Sequence, residues 1–373
     1  MEFSTETGDV GGSATLMLHL LGRCNLTCLH CYMDGAPPRK ERLPLDLVIQ
    51  AVSDCRLLDI GALYLTGGEP ILYPGLEEIL TIAAYKKLQV TVCTNATLLT
   101  ERFATLFHDN HVKVNISVDG DEAFHDYFRN CAGAFRATER GIRRVVEAEV
   151  PLTIVTTISR QNVHALTSLA EWSASVGAVQ FRVQPLLRLG RATKIMDQCL
   201  TDEQLNRLLI ELSDLANVFG PAGMKCSLVG VTRRFLAAHP CGAYVCNGQG
   251  CHRRVAKEIK KLVIREDGTV LPEITNLSHE FALGRMEDGP LPVLVSRYFE
   301  HGYEKFDHLC RGTYAEVMPT WESAVIPWDQ IVAERSHNWL QRPFHSPSQS
   351  SGGATLHELA KCSNNPCGSQ IHR

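Results

Sequence analysis

Three cysteines stand four and three residues apart in Cys24-Asn25-Leu26-Thr27-Cys28-Leu29-His30-Cys31-Tyr32. Thiolates are soft ligands, suited to iron–sulfur clusters or zinc rather than to hard cations. Three of them can hold three irons of a four-iron cube and leave the fourth open. A closed structural zinc site needs a fourth Cys or His at short range, and His30, inside the triplet, is poorly placed to turn back onto the same ion. The chemistry these residues suit is that of a cluster with one exchangeable corner.

The surrounding elements have the pattern of an α/β domain. The apolar run from Leu16 to Leu21 reads as a buried strand, which puts the thiols on the loop leaving its end. From there to about Asn217, short apolar runs alternate with amphipathic segments, as in a parallel sheet wrapped by helices. Strands are expected over 16–20, 62–65, 90–93, 114–118, 152–157 and 179–183, with helices over 45–58, 75–87, 101–109, 134–147 and 163–176. A last helix opens at the capping box formed by Thr201 and Gln204. These six βα units predict a partial (β/α)6 TIM-like barrel, in which chemistry collects at the C-terminal ends of the strands.

The strand ends carry suitable residues. The second is followed by Gly67-Gly68-Glu69-Pro70, whose glycines let backbone approach a ligand, although the turn before a helix at Pro74-Gly75 would also account for them. The third ends at Thr94-Asn95 and the fourth at Ser117-Val118-Asp119-Gly120. A ligand bearing a carboxylate and a diol would suit the Ser117 hydroxyl and the Arg129 guanidinium; a turn cap and a surface ion pair are the other readings. Alternation places Gln180, Arg182 and Gln184 on one face of the sixth strand, a polar face that needs partners inside a barrel.

Composition bounds the partners and the compartment. The chain has 373 residues, 45% hydrophobic and 21% charged, with a net charge of −4, and lacks the basic footprint of a nucleic-acid binder. No apolar stretch approaches the roughly 18 residues of a membrane span, and the first residues show no basic signal-peptide start. Fourteen cysteines are unevenly spread: the triplet, a group at Cys241, Cys246 and Cys251, a lone Cys310 and a pair at Cys362 and Cys367. That distribution reads as ligand sets in a reducing, cytoplasmic compartment rather than a disulfide scaffold. Cys55, Cys93, Cys131, Cys199 and Cys226 read as buried thiols.

Together these segments resemble the radical S-adenosylmethionine (SAM) enzymes. The carrying residues are the CxxxCxxC triplet with its following aromatic, Gly67-Gly68-Glu69-Pro70 as the family's GGEP, Thr94-Asn95, and Ser117-Val118-Asp119-Gly120. The last of these, with 125–129 and Gly133-Ala134-Phe135, is similar to the subgroup that matures peptides and proteins. The resemblance implies a [4Fe-4S] cluster on Cys24, Cys28 and Cys31, with SAM chelating the open iron. It further implies SAM contacts from Gly67, Gly68, Glu69, Pro70, Thr94, Asn95, Ser117, Arg129 and Arg182. In that family an electron from the cluster splits the sulfonium to a 5′-deoxyadenosyl radical that abstracts hydrogen from the substrate.

After about Gly220 the period changes, and the hairpin signal Glu266-Asp267-Gly268 lies between strand-like stretches at 261–265 and 269–271. This region resembles a SPASM or shorter Twitch extension, a smaller α+β domain that holds auxiliary clusters. The resemblance implies one auxiliary cluster on Cys246, Cys251 and Cys310. Where the pattern wants a further cysteine, four residues past Gly268, this chain has Glu273. Three readings stand: Glu273 is a ligand, the cluster keeps an open site, or the cluster is lost; for Cys241 to Cys251 a zinc knuckle or buried thiols is the alternative. The basic run Arg253, Arg254, Lys257, Lys260 and Lys261 reads as a solvated face, or as a contact for an acidic peptide or a reductant protein. The expected organisation is an N-terminal tail over 1–12, the barrel over 13–222, the auxiliary domain over 223–335 and a polar tail over 336–373, with a linker near 346–353.

The resulting expectation is a radical SAM oxidoreductase that cross-links, oxidises or epimerises a peptide or protein, reduced by a flavodoxin or ferredoxin. A radical SAM enzyme for a small molecule and a non-catalytic Fe–S scaffold are the alternatives, the last predicting damaged SAM loops. The short stretch before the first strand leaves no room for a fused peptide-recognition domain, so a leader would be read by the C-terminal domain or a separate protein.

Overall fold

The computed structural model describes residues 14–244 and 259–339. In chain order it builds β1 (Ala14–His19), α1 (Leu45–Asp54), β2 (Ile60–Thr66), α2 (Leu76–Tyr85), β3 (Gln89–Thr94), α3 (Glu101–Asp109), β4 (Lys113–Ser117), α4 (Glu122–Arg129), α5 (Ala134–Glu147), β5 (Leu152–Ile158), α6 (Leu166–Ser175), β6 (Gln180–Pro185), α7 (Asp202–Phe219) and β7 (Lys225–Leu228). The C-terminal part adds β8 (Val231–Thr232), α8 (Arg233–Ala238), β9 (Lys261–Ile264), β10 (Thr269–Pro272), β11 (Gly284–Arg285), α9 (Leu291–His301), α10 (Tyr303–Thr320), β12 (Val325–Ile326) and α11 (Trp328–His337).

Among the described residues one ten-stranded sheet runs in the order β11-β10-β9-β1-β2-β3-β4-β5-β6-β7, parallel from β9 to β7. Its ends are not joined, so the α/β fold is a partial barrel. One face of the strands carries Leu16, Leu63, Val92, Ile116, Ile154 and Phe181 against the helices, all buried. The opposite face is buried too, yet polar, with Thr91, Asn115, Thr153, Arg182 and Ser227, because it lines the barrel's interior. Helix α5 shows how the outer layer is built: Ala134, Thr138, Ile142 and Val145 recur every three or four residues and are buried on its inner side.

The capping box opens α7 as expected, with Gln204 N–H donating to Thr201 Oγ1 and Thr201 N–H to Gln204 Oε1. Two elements were not anticipated: the seventh parallel strand β7, and α4, whose signal of few apolar residues is weak. The Glu266-Asp267-Gly268 hairpin forms, with Gly268 at φ +85°, but its first strand does not stay within the C-terminal part. Strand β9 pairs with β1, Ile264 opposite Leu18, so one sheet joins the hairpin to the barrel. Lys261 lies in that strand and is buried, which removes it from any solvated basic face; the run's members at 253, 254 and 257 lie outside the described residues. Of the lone cysteines, Cys55, Cys199 and Cys226 are buried, whereas Cys93 and Cys131 are half-buried. Among the described residues no helix is long and apolar enough to cross a membrane.

Candidate cluster site and its clamps

The loop carrying Cys24, Cys28 and Cys31 leaves β1 and is held from four directions. From β2 comes the double-glycine turn: Gly68 N–H donates to Leu21 O at 2.6 Å and Glu69 N–H to Arg23 O at 2.9 Å. A Cβ on Gly67 would lie 2.6 Å from Leu21 O, and one on Gly68 would lie 2.0 Å from Arg23 O. The two glycines therefore let the turn lie backbone-to-backbone on the cysteine loop, and Gly67, at φ +129°, also adopts a conformation other residues avoid. Pro70 opens the short turn that follows and is buried.

Glu69 ties this turn to the end of β3. Its buried carboxylate accepts from Thr94 Oγ1 at 2.6 Å, from Asn95 N–H at 2.9 Å and from Ile71 N–H at 3.2 Å. Burial pushes its pKa up, opposed by these donors. Asn95 in turn donates to Asn25 Oδ1 at 3.0 Å and points the same Nδ2 at Cys24 Sγ, 3.9 Å away. Helix α5 secures Asn95 through Thr138 Oγ1, which donates to its carbonyl at 2.8 Å.

The third clamp is α4. Leu29 N–H donates to Phe128 O at 2.9 Å, His30 stacks on the Phe128 ring at 4.0 Å, and Asn130 Nδ2 donates to Thr27 Oγ1 at 3.0 Å. Arg129 is buried, gives Nε–H to Asp119 Oδ2 at 2.7 Å and turns Nη1 toward Cys28 Sγ at 3.9 Å. Asp119 also accepts from Thr157 N–H at 3.0 Å and faces His30 Nε2 at 3.7 Å. Burial alone would raise the Asp119 carboxyl, but Arg129 first and the two histidines next outweigh it and hold it at about 2. Arg191 supplies the fourth clamp, donating to Cys28 O and Gly35 O at 2.8 Å each, while its N–H donates to Cys31 O.

Cys24 and Cys28 are 8% and 7% exposed, and burial raises both thiols, Cys24 to about 12. Loading metal must therefore displace their protons. Among the described residues no three His, Cys, Asp or Glu side chains gather closely enough for one metal ion. That suits a cube, whose thiolates sit on different irons, better than zinc. Three soft donors on a clamped loop, two of them approached by N–H groups, fit a four-iron cluster.

Of the remaining expected contacts, Ser117 ends β4 half-buried, and Arg182 is buried on the barrel's inner face, opposite Val155 and Ser227 in the neighbouring strands. Asp119, Asn25 and Arg191 hold the site without having been picked out for it. Asp119 was legible as the third residue of its motif, while Arg191 carried no local signal.

The expected auxiliary set is divided. Cys246 and Cys251 lie outside the described residues, as do Cys362 and Cys367. Cys310 is wholly buried in α10, its thiol pushed well up by burial first and by Glu273, Asp307 and Asp329 next. Glu273 is buried at φ +58°, accepts from Lys260 N–H, and has a carboxyl raised to about 7 by burial. Nearby, Tyr244 donates to Asp329 Oδ1 at 2.7 Å, and the buried Tyr298 hydroxyl has no partner among the described residues. A thiol and carboxylates sharing one buried region, next to an unsatisfied hydroxyl, fit the edge of a metal or cluster site.

Residues 18–172 match the Radical SAM superfamily. The sporulation killing factor maturation protein SkfB of Bacillus subtilis is 32% identical over 178 residues, 48% of this chain and 43% of SkfB. An AdoMet-dependent heme synthase of Methanosarcina barkeri is 34% identical over 176 residues, 46% of this chain and 50% of that protein. The matching part of the chain thus spans about half the length of these curated relatives. Streptococcus suis SuiB bound to S-adenosylmethionine superposes with a TM-score of 0.62 at 16% identity, over 80% of this chain and 68% of SuiB. The anSMEcpe protein with bound AdoMet and Cp18Cys peptide superposes at 0.61 and 16% identity, over 94% of this chain and 99% of its own. At such identity these superpositions show a shared fold.

Proposed function

From the radical SAM domain over residues 18–172, we propose that this protein binds a [4Fe-4S] cluster through Cys24, Cys28 and Cys31, takes SAM as its second cofactor and modifies a peptide or protein. The observation that carries the proposal is the clamped thiol loop, with Asn95 Nδ2 and Arg129 Nη1 each 3.9 Å from a cysteine sulfur. When bound, cluster and SAM supply a 5′-deoxyadenosyl radical, made by one-electron cleavage of the sulfonium, that removes a hydrogen atom from the substrate.

The chain's own part is to orient and to shield. Asn95 and Arg129 bring N–H groups toward charge on the thiolates, which favours their ionised form. Gly67 and Gly68 present backbone to the SAM amino group, with Glu69, Pro70 and Thr94 fixing the turn. Ser117 offers a hydroxyl, and Arg182 a guanidinium, from the barrel's inner face. Arg129 has one N–H committed to Asp119, so its reach toward a SAM carboxylate is through the terminal nitrogens. We assign Cys310 and Glu273, with Cys246 and Cys251, to one auxiliary cluster, which suits products whose formation removes an electron from a substrate radical. A SPASM- or Twitch-like auxiliary domain over 223–335, a cytoplasmic setting and a flavodoxin or ferredoxin reductant complete the reading.

The name of SkfB, a maturation protein, and the SuiB structure bound to precursor peptide SuiA support a peptide substrate. The heme synthases among the relatives favour a second reading, a small-molecule substrate. The test is anaerobic reconstitution with iron counting and a 5′-deoxyadenosine assay, on the native chain and on Cys24, Cys28 and Cys31 changed together to Ala. About four irons per chain indicates one cluster and about eight indicates two. A native protein that holds no iron or releases no 5′-deoxyadenosine ends the proposal. Turnover of a peptide encoded beside the gene, against none of a tetrapyrrole, separates the two substrates.

A further inference from the structure

A second feature lies beside the cysteine loop and belongs to none of its clamps. His19, the last residue of β1, is 0% exposed, and neither of its ring nitrogens has a hydrogen-bond partner among the described residues. Glu266, in the turn after β9, is 4% exposed; Oε1 accepts from Arg39 at 2.9 Å, while Oε2 has no partner among the described residues. Both line one cavity of about 280 Å³, together with Tyr32, Asp34, Arg265 and Asn276. Tyr32 follows Cys31 directly, so the cavity abuts the cysteine loop.

A buried polar atom left unpaired costs about 1–3 kcal/mol, so three of them around one cavity call for an occupant. Burial, then Arg265 and Lys261, lower the His19 pKa to about 3 against the pull of Asp267, so the ring is neutral and carries one donor and one acceptor. With Glu266 Oε2 the cavity offers one donor and two acceptors. Arg39 brings no further donor, since its nitrogens already serve Glu266, Glu41 and Met33 O. The Glu266 charge is balanced by Arg39, so the occupant need not be charged. A neutral group with one acceptor and two donors is a primary carboxamide. A carboxylate would bring no donors, and an ammonium no acceptor.

We infer that the His19–Glu266 cavity receives a primary carboxamide of the substrate, an Asn or Gln side chain or a C-terminal amide, with its oxygen on the His19 N–H and its NH2 on Glu266 Oε2 and the other ring nitrogen. This rests on the peptide reading above and narrows it to a peptide with a carboxamide held beside the reacting residue. The volume admits one residue-sized group and not a nucleotide, which separates this cavity from the place of SAM.

The test is calorimetry on the reconstituted holoenzyme with N-acetylglutamine methyl ester, N-acetylglutamate methyl ester and N-acetylmethionine methyl ester as probes. The carboxamide is expected to bind about tenfold or more tighter than the other two, and to lose about tenfold in His19→Phe and in Glu266→Gln, which keeps Oε1 for Arg39 but turns the second acceptor into a donor. Thermal denaturation checks that the variants fold, and Glu266→Gln decides if His19→Phe does not. Absence of carboxamide binding, equal binding of the three probes, or binding that neither folded variant weakens would overturn the inference and leave ordered water as the occupant. The 5′-deoxyadenosine assay without substrate reports separately on radical SAM chemistry, so either result can fail while the other stands.

Discussion

Arg129 donates to Asp119 across 2.7 Å with both side chains buried, and its far end comes within 3.9 Å of the Cys28 sulfur. The pair therefore joins the end of β4 to the cysteine loop through α4. Asp119→Ala would strand a buried guanidinium, an uncompensated charge of the kind that costs about 3–5 kcal/mol. The expected outcome is a drop of several degrees in melting temperature and reduced iron uptake. Asp119→Asn, which can still accept from Arg129, is expected to lose less in both.

The double-glycine turn predicts a contrast between two Gly→Ala changes. A Cβ at Gly68 would sit 2.0 Å from Arg23 O, so Gly68→Ala must push the cysteine loop and is expected to abolish stable cluster incorporation, read from iron content and the visible absorbance. A Cβ at Gly312, inside α10, meets nothing within 4 Å, and Gly312→Ala is expected to stabilise by about 0.5–1 kcal/mol with iron content unchanged.

Glu69 accepts from three donors, and in Glu69→Gln an NH2 must face at least one of them. That mismatch is expected to cost about 1–3 kcal/mol. Because the bonds to Thr94 and Asn95 set the floor of the proposed SAM site, SAM affinity measured by equilibrium dialysis is expected to fall with it. Unchanged stability and affinity would show that the carboxylate is not holding the turn.

Thiol alkylation of the native protein should separate the cysteines. Burial pushes Cys55 to about 12 and Cys226 to about 11, so the thiolate that reacts is scarce at mildly alkaline pH. Peptide mapping after brief iodoacetamide treatment is expected to find Cys55 and Cys226 unlabelled and the half-buried Cys131 labelled first; labelling of Cys55 at the same rate would mean that the native packing opens readily.

Much of this arrangement could be read from the chain. The boundaries of α3 and α5 follow from apolar residues at helical spacing, and the six leading strands from apolar runs bounded by turn residues. Residues tied to a local signal, such as Gly67, Gly68 and Thr94, were found, but for a partly different reason: the glycines admit the cysteine loop as well as any ligand. What escaped depends on contacts distant in sequence. Arg191 acts on carbonyls at Cys28 and Gly35, His19 and Glu266 meet only because β9 pairs with β1, and Cys131 is half-buried because it packs beside the cysteine loop. Lys261 read as surface charge because its burial comes from strand pairing rather than from its neighbours in sequence.

The pairing of β9 with β1 has a mechanical side. Hydrogen bonds in register from Thr15 with Lys261 to Leu18 with Ile264 make the hairpin and the strand feeding Cys24 a single stiff ribbon. A guest that tugs on the hairpin tugs on the root of the thiol loop, and cutting away the C-terminal part would strip β1 to a raw edge rather than release a self-sufficient barrel.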